Sequence, residues 1–364
     1  METADEKIAS LSAKKIERIL KDPERTAKAI DLVYVNDNDR GILRSRNGKG
    51  FKYMLDEKLV KDKDTLQRIK SLVLPPAWEN VWICALDNGH LQATGRDTRN
   101  RKQYRYHAHW NALRSHTKFY RLHEFGQSLP AIRVQIEKDL ALPGLSQNKV
   151  LAAIVSLMER THIRVGNTMY ETLYGSYGLT TLHNRHVKIN GVQMKFSFRG
   201  KKGVQHEISI RNKKLSKLVQ QCRDIPGKEL FQYYTGDGQR HSIDSGMVNE
   251  YIKNISGGDF TTKDFRAWAG TTEALLAFRE LGGFETVTEC KRKMVEALDK
   301  VSKQLGNTRT VCKKYYVHPL IMNSYEDRTM DKYIAQLDRV EHHNDAKGLT
   351  AEEALVMKML EEAD

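Results

Sequence analysis

The rhythm of apolar and polar positions changes along this chain, and the changes divide it. Near the start, Ile8, Leu11, Ile16 and Ile19/Leu20 follow an approximate helical spacing, so residues 1 to about 30 read as helix. Asp22-Pro23 interrupts that run, and the proline suits the first turn of a second short helix. From Leu32 short β-type runs take over: Leu32-Val33-Tyr34-Val35, Phe51-Lys52-Tyr53-Met54 and Val81-Trp82-Ile83-Cys84. Turn signals separate them at 36–39, at Asn47-Gly48 and at Asp87-Asn88-Gly89. One helix over about 64–72 stops before Pro75-Pro76.

Beyond about residue 118 the pattern is mostly helical. It predicts a helix over 130–140 and another capped by Ser146 that runs to Glu159 or Arg160. A β island interrupts the helices. Val187-Lys188-Ile189 leads through the hairpin signal Asn190-Gly191 into an alternating strand over 192–198. After Arg199-Gly200-Lys201-Lys202-Gly203 a third strand spans 204–210, and later Thr350 and Glu353 make a capping box for a last helix. The expected class is α+β. A helical extension covers 1–31, a small β-rich domain 32–115, and a larger, mainly helical domain 116–364 with a three-stranded β island.

Composition bounds the function. A chain of 364 residues supports two or three domains with real cores, and 40% hydrophobic against 29% charged residues marks it as globular. The formal net charge of +14 points to a polyanionic partner, most often nucleic acid. Cys84, Cys222, Cys290 and Cys312 are dispersed, without a C-x-x-C pair or zinc spacing, which suits a reducing, intracellular compartment. The first fifteen residues carry no apolar signal core, and no window approaches eighteen apolar residues, so no membrane span is expected.

Five segments carry candidate chemistry. Residues 96–107 interleave cations with Gln103, Tyr104 and Tyr106, either as a DNA-contacting face or as a solvated loop. Arg164 follows an apolar helix, as a structural ion-pair partner or as an anion ligand. Lys201 sits in a glycine-flanked turn, as an exposed cation or as a finger placing an ammonium near a reacting phosphate. Lys263 and Arg266 share a helix face, as a surface pair or as phosphate ligands. Finally, Tyr315 and Tyr316 follow Lys313 and Lys314; a phenol among cations is a candidate nucleophile, because positive charge stabilises its phenolate, and otherwise a half-buried aromatic.

In order, Arg164, Lys201, Lys263-x-x-Arg266, Asn307 and Tyr316 resemble the type IB DNA topoisomerases, in their compact poxvirus-like and bacterial branch. The likeness spans roughly residues 30 to 330. It rests on the Gly95-Arg96 to His107 segment, Ile163-Arg164-Val165-Gly166, Phe198-Arg199-Gly200-Lys201, Lys263-Asp264-Phe265-Arg266, Leu305-Gly306-Asn307-Thr308 and Tyr316. The resemblance implies a C-shaped clamp on double-stranded DNA, acting as a monomer without metal, cofactor or ATP. Tyr316 is then the nucleophile that forms a 3′-phosphotyrosyl bond. Arg164 and Arg266 hold the non-bridging oxygens, Lys201 protonates the leaving 5′-oxygen, and Asn307 donates a hydrogen bond where poxvirus members carry histidine. Arg101, Gln103, Tyr104 and Tyr106 fall on the groove face of the small domain, with Tyr170 and Lys263 near the cleaved bond. Tyr315 is left as a packing or DNA-side neighbour. Two rivals remain: a tyrosine recombinase, which usually carries His-x-x-Arg in place of Lys263-x-x-Arg266, and a basic DNA-binding protein without catalysis.

Overall fold

The computed structural model describes residues 22–48, 50–98, 102–337 and 348–363. The chain is α+β and divides between Arg121 and Leu122 into two compact units.

The first unit is organised on a six-stranded antiparallel sheet in the order β3-β2-β1-β4-β5-β6. The strands are β1 (Gly41–Asn47), β2 (Gly50–Leu55), β3 (Lys58–Leu59), β4 (Glu79–Cys84), β5 (Leu91–Arg96) and β6 (Lys102–Tyr106). Successive side chains of a strand point to opposite faces, and the buried residues sort into two clusters, with a register shift between Leu91 and Ala93 separating those two. Ile42, Val81, Ile83 and Ala93 pack with Ile69 of the Lys63–Ser71 helix, while Trp82, Cys84 and Leu91 pack with Val35.

Residues 1–21 of the expected extension lie outside the described residues. Its remainder contains a helix, Pro23–Ala29, capped by the Asp22 carboxylate, which accepts from the Glu24 and Arg25 amides at 3.0 and 3.2 Å. The expected strand over 32–35 is absent. Val33 makes only an isolated bridge to Gly89, because the segment is divided between clusters: Leu32 packs with Ala27, Ile30 and Trp110, Val35 packs under Trp82, and Tyr34 stacks on His90.

The second unit is mainly helical. The helix expected over 130–140 is the end of a 33-residue helix, Ala108–Leu140, with Pro130 inside it. An interior proline ordinarily costs a helix about 3 kcal/mol. Here Leu122, Phe125 and Leu129 before it and Ile132, Ile136 and Leu140 after it all enter one core, so burial on both sides offsets the lost hydrogen bond. Gln147–Thr161 lies at the centre of this core, with ten buried residues that leave it apolar nearly all round. Ser146 stands at its N-cap position but makes no capping bond; its hydroxyl is buried without a partner, against the expectation.

β7 (Val187–Asn190), β8 (Gln193–Arg199) and β9 (Gln205–Arg211) form a three-stranded antiparallel sheet, and the turn between β8 and β9 carries Lys201. β8 alternates buried Met194, Phe196 and Phe198 with exposed neighbours. Helices Thr262–Leu281 and Val287–Leu305 pack against each other and lead through Gly306 into the short helix Arg309–Tyr315. The last helix, Ala351–Ala363, opens with the expected box: the Thr350 amide donates to Glu353 Oε2 at 2.9 Å, and the Glu353 amide to Thr350 Oγ1 at 3.3 Å. Arg133 then ties Glu353 and Glu159 together inside the core, and Trp268 Nε1 donates to Glu353 at 2.9 Å. Among the described residues no helix is long and apolar enough to cross a membrane.

Candidate active site

Helix ends and tight turns place the candidate side chains, because that is where the backbone can turn a residue inward. Gln147–Thr161 ends at His162 in the left-handed conformation (φ 55°), and the chain leaves through buried Ile163 into Arg164. Thr262–Leu281 opens with a capping box from Thr261 and Asp264, one turn before Arg266. Val287–Leu305 ends at Gly306 (φ 57°), where a left-handed residue closes the helix and frees Asn307 to point back. Arg309–Tyr315 ends at Tyr316, whose amide still donates to the Cys312 carbonyl at 2.9 Å.

These ends converge. Arg164 Nη2 donates to the Gly306 carbonyl at 3.1 Å and to Asn307 Oδ1. Arg266 is 5% exposed; Nη1 donates to the His162 carbonyl and Nη2 to the Leu305 carbonyl at 2.8 Å. Its guanidinium carbon lies 5.1 Å from the centre of the Tyr316 ring. Two buried donors in this group have no hydrogen-bond partner among the described residues: Arg266 Nε and Asn307 Nδ2. Burial, and then repulsion from Arg266, lowers the Arg164 guanidinium to about 10, which leaves it charged at neutral pH.

Tyr316 is held by its backbone. Its carbonyl accepts from Thr271 Oγ1 at 3.3 Å. A methyl group at Gly270 would stand 2.6 Å from that carbonyl oxygen and 2.9 Å from the Tyr316 Cβ. Only glycine lets the Arg266 helix approach so closely. Tyr315, by contrast, is 45% exposed, with Lys314 Nζ 5.4 Å from its ring.

Lys201 begins a 3₁₀ turn between β8 and β9 and is exposed, with Nζ 5.8 Å from the centre of the Tyr170 ring. Tyr170 stacks at 6.0 Å on Tyr174 in the short helix Thr168–Tyr174. Lys263 is exposed in the first turn of the Arg266 helix. A cavity of about 610 Å³ joins them; Arg164, Lys201, Lys263, Arg266, Tyr170 and Tyr316 all line it. Asn307 joins through its bond to Arg164. The remaining candidates are in the first unit. On β6 Tyr104 is 48% exposed and stacks on Tyr106 at 6.0 Å, while Gln103 Nε2 donates to Asp97 at 3.0 Å. Arg101 lies outside the described residues.

A phenol beside two inward-turned guanidiniums, with a lysine on an adjoining turn, is equipment for transesterification at phosphorus. Comparison with known proteins gives the family. Residues 107–344 match the family model described as the catalytic core of eukaryotic DNA topoisomerase I, and residues 50–97 match the N-terminal domain of bacterial DNA topoisomerase IB. The chain is 30% identical over 296 residues to DNA topoisomerase 1B of Acanthamoeba polyphaga mimivirus, covering 79% of this chain and 88% of that one. This chain belongs to the type IB DNA topoisomerases. DNA topoisomerase 1B of Vaccinia virus (strain Copenhagen) is a more distant member, 23% identical over 69% of this chain and 77% of its own. DNA topoisomerase I of Monkeypox virus stands at the same identity and coverage.

Several residues of this cavity were not read from the sequence. Arg199, Lys202, Tyr174 and Tyr177 also line the cavity. Arg199 and Lys202 flank the glycine-lysine pair, so a count of cations around Lys201 points to them. Gly270, one helical turn beyond Arg266, gives no local sign of its role.

Proposed function

We propose that this topoisomerase relaxes positive and negative supercoils by nicking one strand through a 3′-phosphotyrosyl intermediate, letting the free end rotate, and resealing. The Tyr316 hydroxyl attacks the backbone phosphorus and gives up its proton to solvent water. The bond from phosphorus to the 5′-oxygen breaks, and Lys201 supplies the proton that oxygen takes up, a role worth roughly 10²- to 10⁴-fold in rate. Arg164 and Arg266 stabilise the charge that builds on the non-bridging oxygens, and the planar guanidinium fork suits that geometry. Asn307 adds a neutral donor there. Resealing reverses each step. The phosphotyrosyl bond conserves the energy of the broken linkage and the cations carry the electrostatic load, so the scheme needs neither ATP nor a metal. Arg101, Gln103, Tyr104 and Tyr106 of the first unit, with Tyr170 and Lys263, contact the same duplex in a clamp-like complex formed by a monomer.

The observation that supports this reading best is the pair of unmatched donors. A buried N–H without an acceptor costs about 1–3 kcal/mol, and such groups are retained where a ligand supplies the acceptor. Arg266 Nε belongs to the guanidinium beside the Tyr316 ring, and Asn307 Nδ2 to the amide that Arg164 holds, so both donors are carried by side chains of this one group.

The test is relaxation of supercoiled plasmid in EDTA without ATP. Wild type and Tyr315→Phe should relax it, and Tyr316→Phe should neither relax it nor form a covalent adduct. Relaxation by Tyr316→Phe removes the assignment. Strand exchange between two sites by a tetramer would favour the recombinase reading.

A further inference from the structure

His206 takes no part in the proposed cleavage chemistry, yet it stands between two of its members. It pairs with Phe198 across β8 and β9, and the two rings stack at 5.0 Å and 16°. On one side is Gly200, the residue before Lys201. A methyl group there would stand 2.6 Å from His206 Cδ2 and Nε2. On another is Gly306, the residue before Asn307, where an added methyl would collide with His206 Cε1. The imidazole therefore fills the space between two backbones that approach it as only glycines can.

Both backbones are themselves fixed. The Gly200 amide donates to the Val204 carbonyl at 2.7 Å and the Gly203 amide to the Gly200 carbonyl at 3.1 Å, closing the Lys201 turn. The Gly306 carbonyl accepts from Arg164, and the Asn307 amide donates to the Ser302 carbonyl at 3.0 Å. From the guanidinium to the lysine turn there is thus a continuous run of contacts, Arg164 to Gly306 to His206 to Gly200. Lys201 itself is exposed, its ammonium 5.8 Å from the centre of the Tyr170 ring.

We infer that His206 is a positioning residue, a flat spacer that sets the Lys201 turn in register with the Gly306–Asn307 loop. The spacer is uncharged at neutral pH: burial, reinforced by Arg164 and Arg266, holds the imidazole below its usual pKa. A neutral ring adds no third positive charge beside the guanidiniums.

The inference rests on Lys201 being the general acid, and the test separates the two. Single-turnover cleavage is measured on one duplex with a 5′-oxygen and on another with a 5′-sulfur at the scissile bond, since a thiolate leaves without a proton. Loss of the spacer in His206→Ala should slow oxygen-linked cleavage by about 10²-fold, a typical penalty for a misplaced catalytic group, and sulfur-linked cleavage by less than about threefold. Activity on the sulfur substrate also shows that the variant is folded. His206→Phe, flat and aromatic, should recover most of the lost oxygen-linked rate. Equal slowing on both substrates, with Lys201→Ala still rescued by sulfur, makes His206 ordinary packing and overturns the inference alone. Wild-type rates on both substrates overturn it too. If sulfur fails to rescue Lys201→Ala, the acid assignment falls and the inference falls with it.

Discussion

Arg266 and Lys201 line one cavity and are held in opposite ways. The floor of the cavity is wired: Arg266 is buried against two carbonyls, Arg164 is bonded to Gly306 and Asn307, and Tyr316 is pinned by Thr271 and the close approach of Gly270. The rim is open: Lys201 projects from a turn, and Lys263 and Tyr170 from the first turns of helices, Lys201 and Lys263 exposed and the Lys201 ammonium 5.8 Å from the centre of the Tyr170 ring. Groups that stabilise charge in a transition state work best preorganised, because they then need no reordering when the charge appears. The role proposed for Lys201, handing a proton to a leaving end that then rotates, suits a short exposed turn. The contrast therefore separates stability from catalysis, and each half makes its own predictions.

The floor should show the largest effects, and in both measurements. Arg266→Ala should lower single-turnover cleavage by about 10³-fold, the upper range for loss of one preorganised donor. It should also destabilise the fold by about 2–3 kcal/mol, since the His162 and Leu305 carbonyls lose their donor. A thermal melt unchanged from wild type would show that the floor is not wired in this way. Lys201→Ala comes next: cleavage should fall by about 10²-fold or somewhat more, with the melt within about 0.5 kcal/mol of wild type. A large loss of stability there would erase the distinction between floor and rim.

Gly270→Ala sharpens the comparison further, because the atoms that an added methyl would meet first all belong to Tyr316. Overpacking against the Tyr316 backbone should cost about 1–3 kcal/mol and slow cleavage by about tenfold. Full activity would mean that the nucleophile tolerates displacement. The smallest effect concerns the rim at low pH. Glu171, on the Tyr170 helix, bonds His183 at 2.8 Å, and His183 stacks on His186. Burial, then His183 and Arg185, push His186 down to about 4. With the folded pKa depressed, the unfolded chain binds the proton more readily. Stability at His186 is therefore full above the ordinary value near 6.5 and is lost as pH falls from there towards 4. His186→Phe should flatten the fall in melting temperature across that window. An unchanged slope would place the acid sensitivity elsewhere.

Much of the fold was legible because local pattern decided it. Alternation in β8, the turn signals between strands and the Thr350–Glu353 box each act over a few residues, and each is found in place. Two of the misreadings share one cause. Leu32–Val35 looks like a strand but is pulled into two clusters, and Pro130 looks like a helix start but sits inside a helix. In both, partners distant in sequence overrode the local preference, as tertiary burial outweighs propensities of about 1 kcal/mol. Ser146 stands at the cap position with its hydroxyl unbonded, and nothing in the structure explains that.

The sequence by itself determined which chemistry is available: the order Arg164, Lys201, Arg266, Asn307 and Tyr316, and with it the family. A side chain's functional group and its neighbours along the chain are written in the letters. Only the tertiary structure decided how those groups are held. The bond between Arg164 and Asn307 spans 143 residues, and that between Arg266 and the Leu305 carbonyl spans 39. Burial, unmatched donors and the close approach of Gly200 and Gly306 to His206 arise from packing among such distant segments. No local pattern encodes them, so the division of the site into a wired floor and an open rim became visible only once the chain was folded.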